Sequence, residues 1–520
     1  MESERPVLPR RVLDADGSTP ASGVDGTHGP SVAGWPLHDT AASRALEATA
    51  AARLPPGQLM ERAGAAAARL AQALAPHARR VWIAAGPGNN GGDGYEAALH
   101  LRAAGREVAV SRCAGRGTLP PDAAAALERA RSAGVRLVDD PSPPVGLEPQ
   151  DLAIDALFGL GLSRPVEGPA AAALRALNEA PCPVLALDLP CGLDADRGRR
   201  LGDAVRARWT LALLSLKPGL FTADGRDACG DLWFDPLGAD PAAVAPGAWL
   251  LTGSDALRPR RAHAQHKGSF GDVWVVGGAP GMGGAVRLAA RAALAAGAGR
   301  VHVAALDPQA ERLDAAHPEL LQPGPEALGD AATTLERATV VCGCGGGDAV
   351  RPLLPGLLSR AGRLLLDADA LNALAGDPAL APLAAARAAR GRPTVLTPHP
   401  LEAARLLSVT TAEVQADRLG AARTLASRYR ATVVLKGSGS VIAGPDGAPW
   451  INGSGNAALA TAGTGDVLAG WIGGWWSQGL ETLDAVRLGV HSHGAAADRW
   501  RAGRGRDAAL AASELIAQLR

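Results

Sequence analysis

Short apolar runs separated by helical stretches recur in two series along this chain, and that rhythm constrains the fold more than any other feature. The first series reads Val81-Trp-Ile-Ala-Ala85, Glu107 to Val110, Leu152-Ala-Ile-Asp155, Val184-Leu-Ala-Leu-Asp188 and Trp209 to Leu214. The second reads Asp272-Val-Trp-Val-Val276, Arg300-Val-His-Val-Ala304, Thr339-Val-Val341, Arg363-Leu-Leu-Leu366, Thr394-Val-Leu396 and Thr432-Val-Val-Leu435. Apolar strands alternating with helices belong to parallel sheets covered on both faces, so an α/β fold is expected twice. Residues 239–262 lose the rhythm and carry Pro, Gly and Arg, which marks a boundary. At 520 residues the chain also exceeds what one core normally serves. The pattern therefore predicts one domain over residues 36–240 and another over 255–520. Residues 1–35, rich in Gly, Ser, Thr, Asp and Pro without apolar periodicity, are expected to be a disordered lead-in.

Charge and cysteine usage narrow the function. The 52 basic and 52 acidic side chains balance, which argues against an electrostatic nucleic-acid binder. The six cysteines form no Cys-x-x-Cys pair and read as thiols in a reducing cytosol. No secretory h-region stands in residues 1–35, and the longest apolar run, Val467 to Trp476, is about half a membrane span. A cytoplasmic protein without a membrane partner is expected. Only three lysines occur, at 217, 267 and 436, each beside a turn. Arg replaces Lys easily on a surface, but poorly where a compact charge must meet a phosphate or a tight turn.

The first series carries Gly86-Pro-Gly-Asn-Asn-Gly-Gly-Asp-Gly94 between a strand and a helix expected from Tyr95 to Ala104. Gly86, Gly88 and Gly91 satisfy the dinucleotide fingerprint. However, Asn89, Asn90 and Asp93 place oxygens and a negative charge where a pyrophosphate would lie on the helix N-terminus. A cation or a ribose suits that cluster better. Asp155 and Asp188 each end an apolar strand, so both face the crevice at the carboxyl edge of the sheet. Singly, each acid is explained by helix capping; together, on one edge beside Gly-rich turns, they point to a site.

The second series ends in Gly463-Thr-Gly-Asp466, just before the helical run from Val467. Free amides at a helix N-terminus receive a transferring phosphoryl group, and Asp466 is placed to take a proton from a hydroxyl. No Gly-Lys-Ser/Thr follows, so this is not a Walker A loop. Upstream, Lys436-Gly-Ser-Gly-Ser440 ends a strand and suits nucleotide phosphates. Thr397-Pro-His-Pro400 with Glu402, Asp367-Ala-Asp369-Ala-Leu-Asn372, and Gly277-Gly to Gly284-Ala285 supply further polar or close-approach positions. His399 is expected to face the crevice.

Leu59-Met-Glu-Arg-Ala-Gly64, Gly88-Asn-Asn-Gly-Gly-Asp-Gly94, Asp155-Ala-Leu-Phe-Gly159, Asp188-Leu-Pro-Cys-Gly-Leu193 and Lys217-Pro-Gly-Leu220 resemble the NAD(P)H-hydrate epimerases. Lys267-Gly-Ser-Phe-Gly271, Gly277-Gly to Gly284-Ala285, His317-Pro-Glu319, Asp367 to Asn372, Thr397 to Pro400, Leu435-Lys-Gly437 and Gly463 to Asp466 resemble the ADP- or ATP-dependent NAD(P)H-hydrate dehydratases. The resemblance implies a Rossmann-like α/β domain followed by a ribokinase-like α/β domain. It implies repair of hydrated NADH and NADPH (NADHX and NADPHX): epimerisation of the R and S hydrates, then ADP-driven dehydration of the S form through phosphorylation and phosphate elimination.

Carried over residue by residue, Asn89, Asn90, Gly91, Gly92 and Asp93, with Gly159, Leu160, Gly161 and Leu162, would hold the hydrate in the first domain. Asn90, Asp155 and Cys191 would bind K+, and Asp188 would be the acid/base group. In the second domain Ala285, Gly345, His399 and Asp466 would contact the S-hydrate, with Asp466 the catalytic base. Lys436, Gly437, Ser438, Gly439, Ser440 and Gly465 would hold the nucleotide, with Mg2+ balancing phosphate charge. A homo-oligomer is also implied, without a readable interface.

Two positions depart from the pattern. Cys191 stands where the family has Ser, and a thiol is a poorer ligand for a hard cation. Gly343-Cys-Gly-Gly-Gly347 replaces a Gly-Pro-Gly-Leu-Gly type loop, so a looser turn is expected. Two other readings stay open from the residues themselves: a ribokinase-like kinase releasing a stable phosphoester, and a first domain that only binds.

Overall fold

The computed structural model describes residues 8–13, 33–113, 118–330, 332–505 and 508–519. Two compact units divide at Ala248/Trp249; the first takes in the described residues up to Leu13.

In the first unit the strands lie in the spatial order Arg10–Arg11, Asp231–Asp235, Trp209–Leu213, Val184–Leu187, Leu152–Ala156, Arg80–Ala85, Glu107–Arg112, Arg136–Val138. All neighbours run parallel except Arg10–Arg11 against Asp231–Asp235. Strand Arg80–Ala85 has Glu107–Arg112 on one side and Leu152–Ala156 on the other, so the chain reverses its direction of sheet growth there. Such a switch point leaves a crevice beyond the strand carboxyl ends, and Gly86, Leu157 and Asp188 all lie just past those ends.

Three sequence expectations change here. Part of the lead-in is ordered: Arg10–Arg11 pairs with Phe234 and Trp233, and Val12 is fully buried with its amide on the Leu232 carbonyl at 2.9 Å. Two residues are too short to show a period, so this edge strand left no pattern to read. Residues 1–7 and 14–32 of the expected lead-in lie outside the described residues. The helical stretch from His38 to Ala75 is two helices, Thr40–Ala51 and Gln58–Leu74, parted at Pro55-Pro-Gly57. The helix expected from Tyr95 begins at Asn89. Its glycines are there for close approach: a Cβ on Gly91 would sit 2.0 Å from the Gly86 carbonyl oxygen. Packing overrides the poor helix propensity of glycine.

In the second unit the order is Arg300–Ala305, Asp272–Gly277, Thr339–Cys342, Arg363–Leu366, Thr394–Leu396, Thr432–Leu435, Val441–Ala443, Trp450–Asn452, Ala248–Gly253. The first six are parallel, and Val441–Ala443 pairs antiparallel with both neighbours. Helices Gly283–Ala295 and Thr464–Ser477 pack on this sheet through Val286, Ala289, Ala293, Val467, Trp471 and Ile472, all buried in one core with Val273 and Val341. Among the described residues, no helix is long and apolar enough to cross a membrane.

Candidate active sites

A cavity of about 440 Å³ opens at the carboxyl edge of the first sheet, lined by Glu47, Asn89, Asn90, Asp93, Phe158 to Gly161, Asp188 and Lys217, among others. Asp188 follows its strand directly in the left-handed region, at φ 64°, where a non-glycine residue is strained. Its Oδ1 is gripped by the Lys217 ammonium, and the pair is buried, with side chains 12% and 1% exposed. Lys217 also donates to the Leu213 carbonyl at 2.8 Å. The other oxygen, Oδ2, faces the neighbouring loop: a Cβ on Gly159 would stand 2.8 Å from it and 3.6 Å from Asn90 Cγ. Asn90, Asp188 and the Gly159 loop therefore converge.

Carboxylates crowd this pocket. Burial, then the charges of Asp188, Glu47 and Glu96, hold the Asp93 carboxyl well above the usual range. Glu47, half-buried on helix Thr40–Ala51, is raised by burial and then by Asp188. Lys217 is a buried cation within this cluster, and Arg44 also lines the cavity. An anionic pyrophosphate on the helix N-terminus would meet Asp93, as the sequence implied.

Asn90 is the orphan of the site. Both its amide nitrogen and its oxygen are buried without a protein partner, and buried polar atoms normally find one. Asp155, fully buried, accepts from the Leu157 amide at 3.1 Å and the Cys191 amide at 2.7 Å, while burial pushes its carboxyl up to about 7. A monovalent cation between them would satisfy the Asn90 oxygen and favour ionised Asp155. Cys191 meets Asp155 through its backbone; burial and Asp155 hold its thiol protonated, well above the normal thiol range.

The second cluster gathers at the N-terminus of helix Thr464–Ser477. Its N-cap, Gly463 at φ 89°, contributes no side-chain cap, and Asp466 lies in the first turn. Asp367 ends strand Arg363–Leu366; its Oδ1 takes the Lys436 ammonium at 2.6 Å and the Thr397 hydroxyl at 2.8 Å. Asp466, Asp367 and the Cys344 sulfur lie with ligand atoms within 4.8 Å of one another. Burial, then Asp367, pushes the Asp466 carboxyl up to about 6, while a hydrogen bond from Cys344 and the Lys436 charge pull it down. A carboxyl raised in this way suits proton abstraction near neutral pH. Gly465 adjoins the same ammonium, with a Cβ placed 3.5 Å from Lys436 Nζ.

The glycine loop beside it is not loose. Gly343 bonds Val276 at 2.9 Å, Cys344 accepts from Gly278 at 3.0 Å, Gly345 from Ala279 at 2.7 Å, and Gly347 donates to Asp369 at 2.8 Å. Backbone bonds replace the missing proline. A Cβ on Gly345 would lie 2.9 Å from that of Ala285, so these two predicted contacts adjoin.

Sequence comparison adds the decisive observation. The family described as NAD(P)H-hydrate dehydratase matches residues 273–519, and the one described as YjeF-related protein N-terminus matches residues 56–219. The bifunctional NAD(P)H-hydrate repair enzyme Nnr of Coxiella burnetii is 38% identical over 471 residues, 89% of this chain and 94% of its own length. Its Escherichia coli counterpart is 38% identical over 85% of this chain and 84% of its own. This chain belongs to the bifunctional NAD(P)H-hydrate repair enzymes. A solved ADP/ATP-dependent NAD(P)H-hydrate dehydratase from Bacillus subtilis, co-crystallized with ATP/Mg2+, is 30% identical over 51% of this chain and 94% of that one, with a TM-score of 0.42.

As a repair enzyme the chain is both isomerase and lyase, on two successive α/β units, each built on a mostly parallel sheet. The structure brings Asn89, Asn90, Asp93, Gly159, Leu160, Gly161 and Asp188 to one cavity; Leu162 follows in the same loop. It groups Asp466, Gly465, Lys436 and, beside Cys344, Gly345 with Ala285. His399 has another task. Its Nδ1 accepts from the Leu401 and Glu402 amides at 3.1 and 3.3 Å and its Nε2 meets Glu402 Oε1 at 3.2 Å, so the ring caps helix Pro400–Leu407. Sequence reasoning missed Glu47 and Cys344 as site residues and did not pair Lys217 with Asp188. The rarity of lysine was the signal for the pair: two of three lysines grip a strand-end Asp.

Proposed function

We propose that the first unit, over residues 36–240, epimerises R and S hydrates of NADH and NADPH, and that the second, over 255–520, dehydrates the S form with ADP. The observation that carries this reading is the pair of separate strand-end Asp–Lys centres, one opening on a cavity and the other beside a helix-terminal base. Asp188 is the acid/base group of the first, acting through Oδ2 while Lys217 holds Oδ1. Asn89, Asn90, Gly91, Gly92, Asp93 and the Gly159–Leu162 loop hold the hydrate. Asn90 and Asp155 would hold potassium, which would supply a positive charge beside the Asp155 carboxylate. The Cys191 sulfur does not suit it, and only the Cys191 backbone is a fitting neighbour.

In the second unit Asp466 takes the proton from the ring hydroxyl, whose oxygen attacks the terminal phosphorus of ADP and releases AMP. Loss of that phosphate with a ring proton then restores the dihydronicotinamide double bond. The Lys436–Ser440 loop and Gly465 hold the nucleotide phosphates; Ala285, Gly345 and the His399 ring bound the hydrate. Asp367, whose Oδ1 already takes Lys436 and Thr397, would hold Mg2+. When bound it neutralises phosphate charge. A cytoplasmic location and a homo-oligomer complete the proposal.

The test is a repair assay on separated R and S hydrates with ADP and with ATP. Absorbance at 340 nm should return with ADP and S-hydrate, and with R-hydrate only through epimerisation. Accumulation of a stable phosphoester would mean a kinase instead.

A further inference from the structure

Arg418 is 1% exposed, yet it opens helix Arg418–Tyr429. A cation at a helix N-terminus opposes the macrodipole, and burial costs it hydration. Burial pushes its guanidinium down to about 10, still charged at neutral pH. Asp417 supplies the helix cap, accepting from Gly420 at 2.8 Å. Helix stability therefore gives no reason for an arginine here.

Its bonds give one. Nη1 donates to Gln415 Oε1 at 2.7 Å; Nη2 lies among the carbonyls of Leu435, Lys436 and Gly439 at 3.3, 3.2 and 3.4 Å. These carbonyls bracket the Lys436–Ser440 loop, where Gly437 and Ser438 are exposed. In a trans peptide the C=O and the following N–H point in opposite directions, and no described peptide bond is cis. With the Lys436 and Gly439 carbonyls turned onto the guanidinium, the Gly437 and Ser440 amides face away from it. Gly437, at φ 130°, completes the fit, because a Cβ there would stand 3.0 Å from Arg418 Nη1.

We propose that Arg418 is a positioning residue for the nucleotide: its guanidinium holds three loop carbonyls on the protein side, turning the Gly437 and Ser440 amides outward to the phosphates of a nucleoside diphosphate or triphosphate. This rests on the reading that Lys436–Ser440 carry the nucleotide. Outward amides in succession form the anion-binding concavity that loops of this kind use. The same lock presents Lys436, whose ammonium reaches Asp367 and adjoins Gly465.

The test uses the full chain and three variants, with a cooperative thermal transition of the second unit as the check of folding. Arg418→Lys keeps the charge but loses the planar fork, and should raise KM for ADP and for ATP on the order of tenfold while leaving kcat and the KM for S-hydrate close to wild type. Lys436→Met tests the underlying reading and should raise the same KM. Arg387→Lys is the control: Arg387 is equally buried and also holds carbonyls, those of Leu358 and Pro393 at 2.8 and 3.3 Å, away from the loop. It should lower Tm without moving the nucleotide KM. A nucleotide KM unmoved by Arg418→Lys but raised by Lys436→Met overturns the role of Arg418. A KM unmoved by Lys436→Met places the nucleotide elsewhere and overturns the underlying reading. Equal effects of Arg387→Lys and Arg418→Lys reduce Arg418 to a structural residue. If Arg418→Lys does not fold, Gly437→Ala crowds the guanidinium from the loop side, and an unchanged nucleotide KM in that variant rejects the lock.

Discussion

Both halves of the molecule end a parallel strand with an aspartate held by a rare lysine, and they use the pair in opposite ways. In the first, Lys217 binds Asp188, the acid/base group proposed above, and leaves its second oxygen facing the Gly159 loop. In the second, Lys436 binds Asp367, and the proposed base is a different residue, Asp466, on the N-terminal turn of a helix. The first arrangement spends its cation on keeping an acid/base group oriented within a crowd of carboxylates. The second frees the base to ride up to about 6, and leaves the lysine facing the phosphate loop. A reaction that only exchanges configuration at one ring carbon needs a single oriented carboxyl. One that moves a phosphoryl group needs a base and a cation apart from each other.

The sharpest way to break the comparison is to remove the free base. Asp466→Asn should cut dehydration on the order of 10²–10⁴-fold, the usual worth of a general base, and leave R/S equilibration at its wild-type rate. Recovery of 340 nm absorbance reports the first, and chromatography of the two hydrates the second. Loss of both activities in folded protein would show that the two centres are not independent.

Next in size is the buried pair of the first unit. Removing one partner of such a pair costs about 3–5 kcal/mol, because the remaining charge stays buried alone. Lys217→Met should therefore lower Tm and strongly reduce epimerisation, while dehydration of purified S-hydrate persists. Epimerisation at the wild-type rate would mean that Asp188 needs no lysine to orient it, and the contrast with Asp367 would dissolve.

The legibility of this fold in its sequence was uneven for physical reasons. Strands buried on both faces leave continuous apolar runs, so the two sheets and the acids at their ends could be read directly. The Asn89–Ala103 helix start could not, because Gly91 and Gly94 are selected by close approach to Gly86 and Ala156, which local propensity does not encode. Arg10–Arg11 is ordered by its partner strand rather than by its own residues. At the sites, Asp188, Asp155 and Asp466 were recognisable from their positions after strands or before a helix. The Lys217–Asp188 contact, separated by 29 residues, and the approach of Cys344 to Asp466 are tertiary facts. The imidazole of His399, expected as a substrate contact, also caps the helix that follows it.

A smaller effect separates the two centres by their cations. If potassium sits between Asn90 and Asp155 beside Cys191, then Cys191→Ser replaces a soft, protonated thiol with a hard oxygen donor. The half-saturating K+ for epimerisation should fall severalfold, with dehydratase kinetics unmoved. A K+ titration of both activities checks it; an unchanged epimerase curve would put the ion elsewhere.

The smallest expected effect lies in the pH dependence of the second site. Asp466 must be ionised to accept a proton, so dehydratase kcat/KM should fall as pH drops through about 6. The Cys344 thiol donates to that carboxylate and favours its charged form. Cys344→Ala should move the acidic limb to higher pH, and Cys344→Ser, which keeps a donor, should leave it in place. The epimerase profile should not respond to either change. Stability carries the same sign in reverse. A carboxyl raised above its unfolded value favours the folded state below that value, and loses the contribution as pH rises through about 6. Asp466→Asn should thus raise Tm at pH 8 and leave it unaltered at pH 3.5. A Tm gain equal at both values would mean that the Asp466 carboxyl is not raised by its surroundings.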